Sequence, residues 1–579
     1  MPGYVVLVLH AHLPYVLSHG KWPHGTDWLC EAACESYIPL LNLLGQISAE
    51  GKAAHFTLGI TPVLSEMLAS PLFRSVFVDY VHEKMQAASL DRRVFEARGQ
   101  GDMAALAEGW EGFYASRLAD FTDRYGSDLL RAFRQFMEEG QIEMIASAAT
   151  HAYLPLLSLD SSIEAQIAQG IATYGRHFSR EPEGMWLPEC AYRPRKSASV
   201  GRAQTPARRG IEDFLASYRL KYFFLDGRHL TWQQRCTGSY RVEAGLAPVH
   251  AGPGAYQSWS GDAGMFGSDA LSEIKKSEGK IDIYGVYATG APGARVSFFI
   301  RDTETSEQVW SSLGYPGDPW YLEFHKKRDP GGLRYWRVTD QKSDLGAKMV
   351  YEPEKAQERM KEHAGHFAAL LEKKLHEYHE RTGRTGVLTL SFDAELFGHW
   401  WFEGIRWLGA LVSALDTTYV TIEKASTALK GVNPLGAVSL PEGSWGQGGR
   451  HLLWHNKETA WTWQHLYEAE RDLGRAVTQA GDDGTSTRLL KQMARELLLA
   501  QSSDWQFLIS TKTAGDYGES RFLGHWHACK ELYRMFGRYT KTGILREADI
   551  QELGALEAED ALFDDLNLEW FKERKQDGL

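Results

Sequence analysis

The chain has 579 residues, of which 43% are hydrophobic and 24% charged, a balance that gives a globular protein ample core. Its formal net charge of −12 argues against nucleic acid as a partner, because nucleic-acid binding needs clustered lysine and arginine. The sequence has no apolar run of about 18 residues and no basic, then apolar leader, so we expect a cytoplasmic protein without a membrane span or secretory signal.

The numbers of cysteine and tryptophan residues restrict the class of protein further. Five cysteines are odd in number and scattered without a CxxC pair, which disfavours a disulfide framework or a zinc ribbon. Cys30 and Cys34 lie four residues apart on a predicted helix, and we expect both to be buried and structural. Nineteen tryptophans are unusual, since large rings with one polar edge often stack on carbohydrate.

Apolar runs that alternate with helical stretches predict the core of the fold. This alternation indicates an α/β protein, either a parallel barrel or a doubly wound sheet. Polar side chains follow several of the runs, at the strand end where barrel enzymes carry their chemistry, which favours a barrel. They are His10, His12, His151, Glu189 and Asp393. The predicted strands cover residues 4–9, 54–58, 142–146, 185–188, 222–225, 296–300 and 387–392, with a weaker candidate at 419–422.

Two segments interrupt this alternation, and a third follows it. Residues 193–209 are basic, and we expect them to be exposed and solvated. Residues 251–290 are rich in Gly, Ser and Asp and predict a mobile loop or lid, with disorder as the equal alternative. Helices are predicted over 457–471, 485–500, 523–536 and 546–562. The expected domains are a catalytic barrel of 1–190 and 221–433, a small insertion of 191–220 and a helical domain of 434–579.

The carboxylates Glu189 and Asp393 suit glycoside hydrolysis, which needs one nucleophile or base and one acid. For Asp393 taken alone, capping of the next helix is the ordinary alternative. A metal-dependent barrel hydrolase is the competing class, because His10, His12, His151 and Asp393 could also bind zinc. Against zinc, the fifth and sixth runs end in aspartates without a matching histidine.

Five motifs in chain order resemble those of glycoside hydrolase family 57. They are His10-Ala-His-Leu-Pro-Tyr, Gly140-Gln-Ile-Glu, Trp186-Leu-Pro-Glu-Cys-Ala-Tyr, Ser391-Phe-Asp-Ala-Glu-Leu-Phe-Gly-His-Trp-Trp and Ser503-Asp-Trp-Gln-Phe-Leu-Ile. Two further segments resemble the family's 1,4-α-glucan branching enzymes. These are Arg301-Asp-x-Glu-Thr-Ser-x-Gln-Val-Trp-Ser and Gly314-Tyr-Pro-Gly-Asp.

The resemblance implies a fold, a reaction and a set of site residues. It implies an incomplete (β/α)7 barrel and a retaining mechanism without metal or organic cofactor, in which Glu189 is the nucleophile and Asp393 the acid/base. Donor and acceptor chains of α-1,4-glucan would be the partners, and α-1,6 branches the product. A 4-α-glucanotransferase or an α-amylase of the same family is the alternative, and the oligomeric state stays open. The implied substrate-binding residues are His10, His12, His151, Trp310, Trp445, Trp454 and Asp504, with Tyr256 as a loop residue that assists transfer.

Overall fold

The computed structural model describes residues 2–196, 207–230, 281–311, 313–481 and 483–573. The chain divides into two compact units. The first unit comprises Met1–Ile60, Leu64–Met144 and Glu304–Ala425, and the second comprises Thr61–Val63, Ile145–Thr303 and Ser426–Leu579. None of the described helices is both long enough and apolar enough to cross a membrane.

Every predicted strand is present, with its ends shifted by no more than two residues, and one strand was not predicted. The unpredicted strand, Tyr287–Thr289, lies at the end of residues 251–290, so the expectation of a loop or disorder is wrong for these three residues, while residues 251–280 lie outside the described residues. The strands are β1 (Gly3–Ala11), β2 (Phe56–Ile60), β3 (Ile142–Ser147), β4 (Gly184–Trp186), β5 (Tyr222–Asp226), the unpredicted β6 (Tyr287–Thr289), β7 (Val296–Arg301), β8 (Gly386–Asp393) and β9 (Val420–Ile422).

Strand β1 is the centre of the first unit. It pairs in parallel with β2, β8 and β9, and its register places Leu9 opposite Phe392 and His10 opposite Asp393. Within β1, every side chain from Val5 to Leu9 is at most 1% exposed. Such continuous burial is expected of a parallel strand covered on both faces, and it explains why this strand was readable from the sequence.

In the second unit, β3, β4, β5 and β7 pair in parallel, and β6 adds an antiparallel strand beside β7. Aromatic side chains fill this part of the core, and the rings of Phe224 and Phe299 stack 5.6 Å apart. Together, β1–β5, β7 and β8 form the predicted (β/α)7 barrel, which is incomplete in having one strand fewer than an eight-stranded barrel. The predicted fold class is therefore confirmed.

The helices alternate with the strands and then form the C-terminal region. The predicted C-terminal helices are confirmed, and α15 was missed because it starts only three residues after α14 ends. The helices are α1 (Thr26–Ala32), α2 (Ile38–Ala49), α3 (Pro62–Ala69), α4 (Pro71–Ala97), α5 (Gly101–Ala119), α6 (Leu129–Glu138), α7 (Asp160–Phe178), α8 (Ile211–Ser217), α9 (Thr303–Val309), α10 (Pro353–Thr382), α11 (Gly404–Leu415), α12 (Ala425–Gly431), α13 (Ala460–Gln479), α14 (Gly484–Ala500), α15 (Ser503–Thr511), α16 (Gly515–Thr542) and α17 (Glu547–Glu559).

The basic segment 193–209 differs from its prediction at both ends. Arg193 is only 1% exposed. Arg208 donates to Asp160 at 3.1 Å, and Arg209 donates to Glu164 at 2.9 Å. The expectation of a solvated segment is wrong for these arginines, because the first turns of α7 carry acids that pair with them. Residues 197–206 lie outside the described residues.

Candidate active site

The chain makes an unusual turn at Glu189, just beyond the carboxyl end of β4. Glu189 has φ 61° and ψ 22°, and the next residue, Cys190, has φ 48°. Two successive non-glycine residues with left-handed backbone cost on the order of 1–3 kcal/mol each, and such strain concentrates at active sites. Hydrogen bonds from Cys190 N to Leu187 O (2.9 Å) and from Ala191 N to Pro188 O (3.0 Å) hold the turn.

The Glu189 carboxylate is held by two donors, one on each oxygen. The indole Nε1–H of Trp445 donates to Oε2 at 2.7 Å, and the hydroxyl of Ser503 donates to Oε1 at 3.0 Å. Hydrogen bonds to an ionised acceptor are stronger than neutral ones and fix its orientation. The side chain is still 13% exposed, so a ligand can reach a carboxylate whose direction is already set.

His151 contacts the hydroxyl of Ser503, the second donor to Glu189. Its Nδ1 lies 3.0 Å from Ser503 Oγ and 3.7 Å from Glu189 Oε1. Since the Ser503 hydroxyl donates to Glu189, it accepts from His151, which assigns a proton to Nδ1. Sequence reasoning placed Ser503 in a motif without giving it a role. Its contact with Glu189 spans 314 residues of chain and carries no local signal.

We expect Ser503→Ala to lower the turnover number about 10- to 100-fold. A hydrogen bond to a charged group contributes about 1.5–3 kcal/mol, and this substitution removes it from the carboxylate and from His151. Steady-state rates on an α-1,4-glucan, the substrate that the family resemblance implies, measure the loss. Ser413→Ala is the matched control, since that hydroxyl bonds only its own helix, to Gly409 O at 3.1 Å. A variant as fast as the wild type would remove Ser503 from the site.

The segment around Trp445 lies beside the Glu189 turn. Trp445 N donates to Glu189 O at 3.0 Å, and Gly443 and Tyr192 exchange two backbone hydrogen bonds, which extends this pairing. The Trp445 ring meets the buried Trp186 edge-on at 5.3 Å. Predicted residues Glu189, His151 and Trp445 are therefore brought together in the second unit, although they lie far apart in the sequence.

Trp454 and Asp504 occupy different surroundings in the same unit. Trp454 is 1% exposed and stacks on Tyr153, with the ring centroids 4.6 Å apart. The Tyr153 hydroxyl lies 2.6 Å from His451 Nδ1, which fixes that ring. Asp504 is half-buried and accepts a hydrogen bond from Ser502 Oγ. Trp454 thus packs against a second buried aromatic ring, and its role in binding substrate stays a prediction.

The carboxylate of Glu442 contacts His451, the residue that holds the hydroxyl of Tyr153. Glu442 Oε1 lies 3.1 Å from His451 Nε2, and Lys196 Nζ lies 3.1 Å from Glu442 Oε2. Burial alone would raise the pKa of Glu442, but the hydrogen bond from His451, its charge and that of Lys196 hold the pKa at about 2. Glu442 is therefore ionised throughout the neutral range.

Asp393 lies in the first unit, at the carboxyl end of β8. It is half-buried, and its register partner His10 on β1 is 1% exposed. The rings of His10 and His12 lie 6.1 Å apart at 22°, so both predicted histidines adjoin the strand end that carries Asp393. The Asp393 side chain makes no capping hydrogen bond to the short helical turn Ala394–Leu396 that follows it.

Glu395 is a buried acid that the sequence analysis did not single out. It is 1% exposed, and its Oε1 accepts hydrogen bonds from the Tyr37 hydroxyl (2.5 Å) and from the backbone N–H of His12 (3.0 Å). Burial raises the pKa of Glu395 to about 7. The residue ties the His12 segment to the chain just beyond Asp393. Its position two residues after Asp393 was the only signal in the sequence.

We expect Glu395→Gln to change the free energy of unfolding more favourably above pH 7 than at pH 4.5. The folded protein binds the Glu395 proton more tightly than the unfolded chain, so wild-type stability falls as the pH rises from 4.5 to about 7 and then levels off. At 1.36 kcal/mol per pH unit, the difference is at most about 3 kcal/mol. Denaturant unfolding at pH 5 and pH 8 measures it, and an equal effect at both would contradict the assignment.

Trp310, the remaining predicted residue of the first unit, follows the last residue of α9. Trp310 is 39% exposed and meets Trp400 edge-on, with ring centroids 5.8 Å apart. An exposed indole supported by a second one can stack on a sugar face. Tyr256 lies outside the described residues.

Comparisons with known proteins agree along almost the whole chain. The model of "Glycosyl hydrolase family 57" matches residues 6–441, and that of "1,4-alpha-glucan branching enzyme, C-terminal" matches residues 465–571. A 1,4-alpha-glucan branching enzyme of Thermococcus kodakarensis is 38% identical over 566 residues, which cover 97% of this chain and 78% of that protein.

Two solved structures also resemble this chain over almost its whole length. The GH57-type branching enzyme of Pyrococcus horikoshii is 36% identical with a TM-score of 0.84, covering 100% of this chain and 98% of that one. The alpha-amylase AmyC of Thermotoga maritima is 27% identical with a TM-score of 0.79, covering 99% of this chain and 100% of that one.

Proposed function

Since this chain belongs to glycosyl hydrolase family 57, we propose that it is a 1,4-α-glucan branching enzyme, which cuts an α-1,4-glucan and rejoins the segment as an α-1,6 branch. One observation supports branching activity in particular and not only membership of the family. Residues 465–571 match the C-terminal model of branching enzymes, in the same chain as the barrel match. The donor and the acceptor are both α-1,4-glucan chains.

In the first step, Glu189 attacks the anomeric carbon of the donor glucan and forms a covalent ester. The C–O bond to the leaving chain breaks, and Asp393 protonates the departing oxygen. The donors Trp445 and Ser503 hold the attacking carboxylate in one direction before the substrate arrives, which avoids reorganisation during the reaction. The histidines His10 and His12, beside Asp393, hydrogen-bond the sugar whose bond breaks.

In the second step, an acceptor hydroxyl displaces the enzyme. Asp393, now ionised, takes the proton from a 6-hydroxyl, whose oxygen attacks the anomeric carbon and releases Glu189. Two displacements retain the anomeric configuration. Branching exceeds hydrolysis only if acceptor sugar occupies the place where water would attack. We assign the acceptor to the exposed tryptophan Trp310 and, from the family resemblance, to Tyr256.

Hydrolysis is the second candidate activity, favoured by the likeness to the alpha-amylase AmyC. The products separate the two. A branching enzyme abolishes iodine staining of amylose with little gain in reducing ends, whereas an amylase releases reducing ends in proportion. A 4-α-glucanotransferase would redistribute chain lengths without new branches. A chelator such as EDTA should leave the rate unchanged, while a metal-dependent hydrolase would lose its activity.

The place of this activity is part of the proposal. We assign the enzyme to the synthesis of glycogen-like glucan in the cytoplasm. The described cysteines support a reducing compartment, because Cys30, Cys34, Cys190 and Cys529 are all buried and none of these four forms a disulfide. Neither nucleic acid nor a membrane surface is part of the proposed reaction, and the negative net charge of −12 disfavours the former.

A further inference from the structure

A row of three aromatic rings in the second unit ends at the protein surface. Tyr153 and Trp454 stack with centroids 4.6 Å apart and an interplanar angle of 28°, and Phe507 continues the row 6.4 Å from Trp454 at 31°. Tyr153 and Trp454 are 0% and 1% exposed, whereas Phe507 is 38% exposed. The ring that this row presents to solvent is therefore that of Phe507.

Helix α15 places Phe507 close to the nucleophile. Ser503, the first residue of α15, donates to Glu189 Oε1 at 3.0 Å. Phe507 is four residues later, which puts it on the same helix face about 6 Å further along the axis. Asp504, three residues before Phe507, shares this face and is half-buried. A carboxylate and an aromatic ring thus share one face of α15, within one turn of the residue that bonds Glu189.

This pair matches the two surfaces of a pyranose sugar. The apolar C–H face of the sugar stacks on an aromatic ring, and its hydroxyls donate to carboxylate oxygens. The platform is also rigid, because Phe507 rests on buried Trp454, and His451 holds the hydroxyl of Tyr153 at 2.6 Å. A rigid platform loses little conformational freedom when a ligand binds.

We propose that Phe507, together with Asp504, forms a glucan-binding subsite beside Glu189 in which Phe507 is the stacking platform. The proposal rests on the proposed function, because it takes an α-1,4-glucan chain as its ligand. It assigns sugar contact in this row to Phe507, whereas Trp454 supports that ring from below. A ring left exposed by packing alone is the ordinary alternative, since single apolar side chains are common on protein surfaces.

Calorimetric titration with maltoheptaose tests the subsite in a Glu189→Gln background, which binds without turnover. We expect the further substitutions Phe507→Ala and Phe507→Leu to raise Kd about fivefold or more, because both remove the flat ring. Phe507→Trp should stay within about twofold of the parent. Leucine keeps the apolar bulk, so it decides the question even where the alanine variant fails to fold. Equal thermal midpoints of the Leu and Trp variants exclude a purely structural effect.

An unchanged Kd in Phe507→Leu, or an equal loss in Phe507→Leu and Phe507→Trp, would overturn the subsite. The linkage of the product made by the enzyme with Glu189 intact is measured in parallel. If no α-1,6 linkages form while maltoheptaose binding still depends on the flat ring, the proposed function fails and the subsite stands. If branches form and Phe507→Leu binds maltoheptaose like the parent, the subsite alone fails.

Discussion

Glu189→Gln should lower the branching rate on amylose by about 10³-fold or more, the loss expected when a covalent nucleophile is removed. The amide has nearly the same shape as the carboxylate, and its oxygen can still accept from Trp445 Nε1 or from Ser503, while that hydroxyl can also turn to accept. The fold should therefore survive, and the thermal midpoint should change little. Rates from iodine staining, over an enzyme range wide enough to detect this loss, give the result.

Glu183→Gln is the matched control for this variant. Glu183 precedes β4 by one residue, and its carboxylate pairs with Lys221 at 2.7 Å, where both side chains are more than a third exposed. Exposed ion pairs contribute little, so this variant should branch within about twofold of the wild type. If Glu189→Gln kept comparable activity, Glu189 would not be the nucleophile and the double-displacement mechanism would be wrong.

Asp393→Asn should cost about 10²- to 10⁴-fold on amylose, because an asparagine can neither protonate the leaving oxygen nor deprotonate the acceptor. The loss should depend on the substrate. A glycoside with a 4-nitrophenyl leaving group needs no proton to depart, so the ester should form nearly as fast as in the wild type. Its breakdown still needs a base, and nitrophenol should therefore appear as a burst equal to the amount of enzyme, followed by a slow phase.

Asp416→Asn provides the comparison in the same unit, since the side chain of Asp416 is 48% exposed and pairs with Lys52 at the surface. It should show neither the burst nor the loss. If Asp393→Asn slowed amylose and the nitrophenyl substrate to the same extent, without a burst, Asp393 would act by positioning and not by proton transfer. The pair of variants thus separates the two acids by role, which neither variant does alone.

The strands of the barrel were predictable because parallel strands are buried on both faces and appear as continuous apolar runs. The polar residue that follows such a run marks the strand end, which is how His10, Glu189 and Asp393 were found. Strand β6 was missed because it lies within the Gly-, Ser- and Asp-rich segment that was predicted to be a loop, and helix α15 was missed because it starts so soon after α14 ends. The domain boundaries and the roles of the site residues stay predictions.

Contacts across long stretches of chain were beyond the sequence. Ser503 meets Glu189 across 314 residues, and Tyr37 meets Glu395 across 358, so no local pattern could have paired them. The burial of Arg193 was also unforeseen, because composition shows a basic segment but not the acids of α7 that face it. Likewise, a count of tryptophans does not tell which rings are exposed, and Trp454 is 1% exposed whereas its neighbour Phe507 is 38% exposed.

Proton NMR of amylose before and after incubation with the enzyme, combined with an assay of reducing ends, tests the central claim most directly. We predict new anomeric signals of α-1,6 linkages at the expense of α-1,4 signals, with almost no increase in reducing ends. A rise in reducing ends that matches the loss of α-1,4 linkages, without α-1,6 signals, would contradict branching and identify a hydrolase.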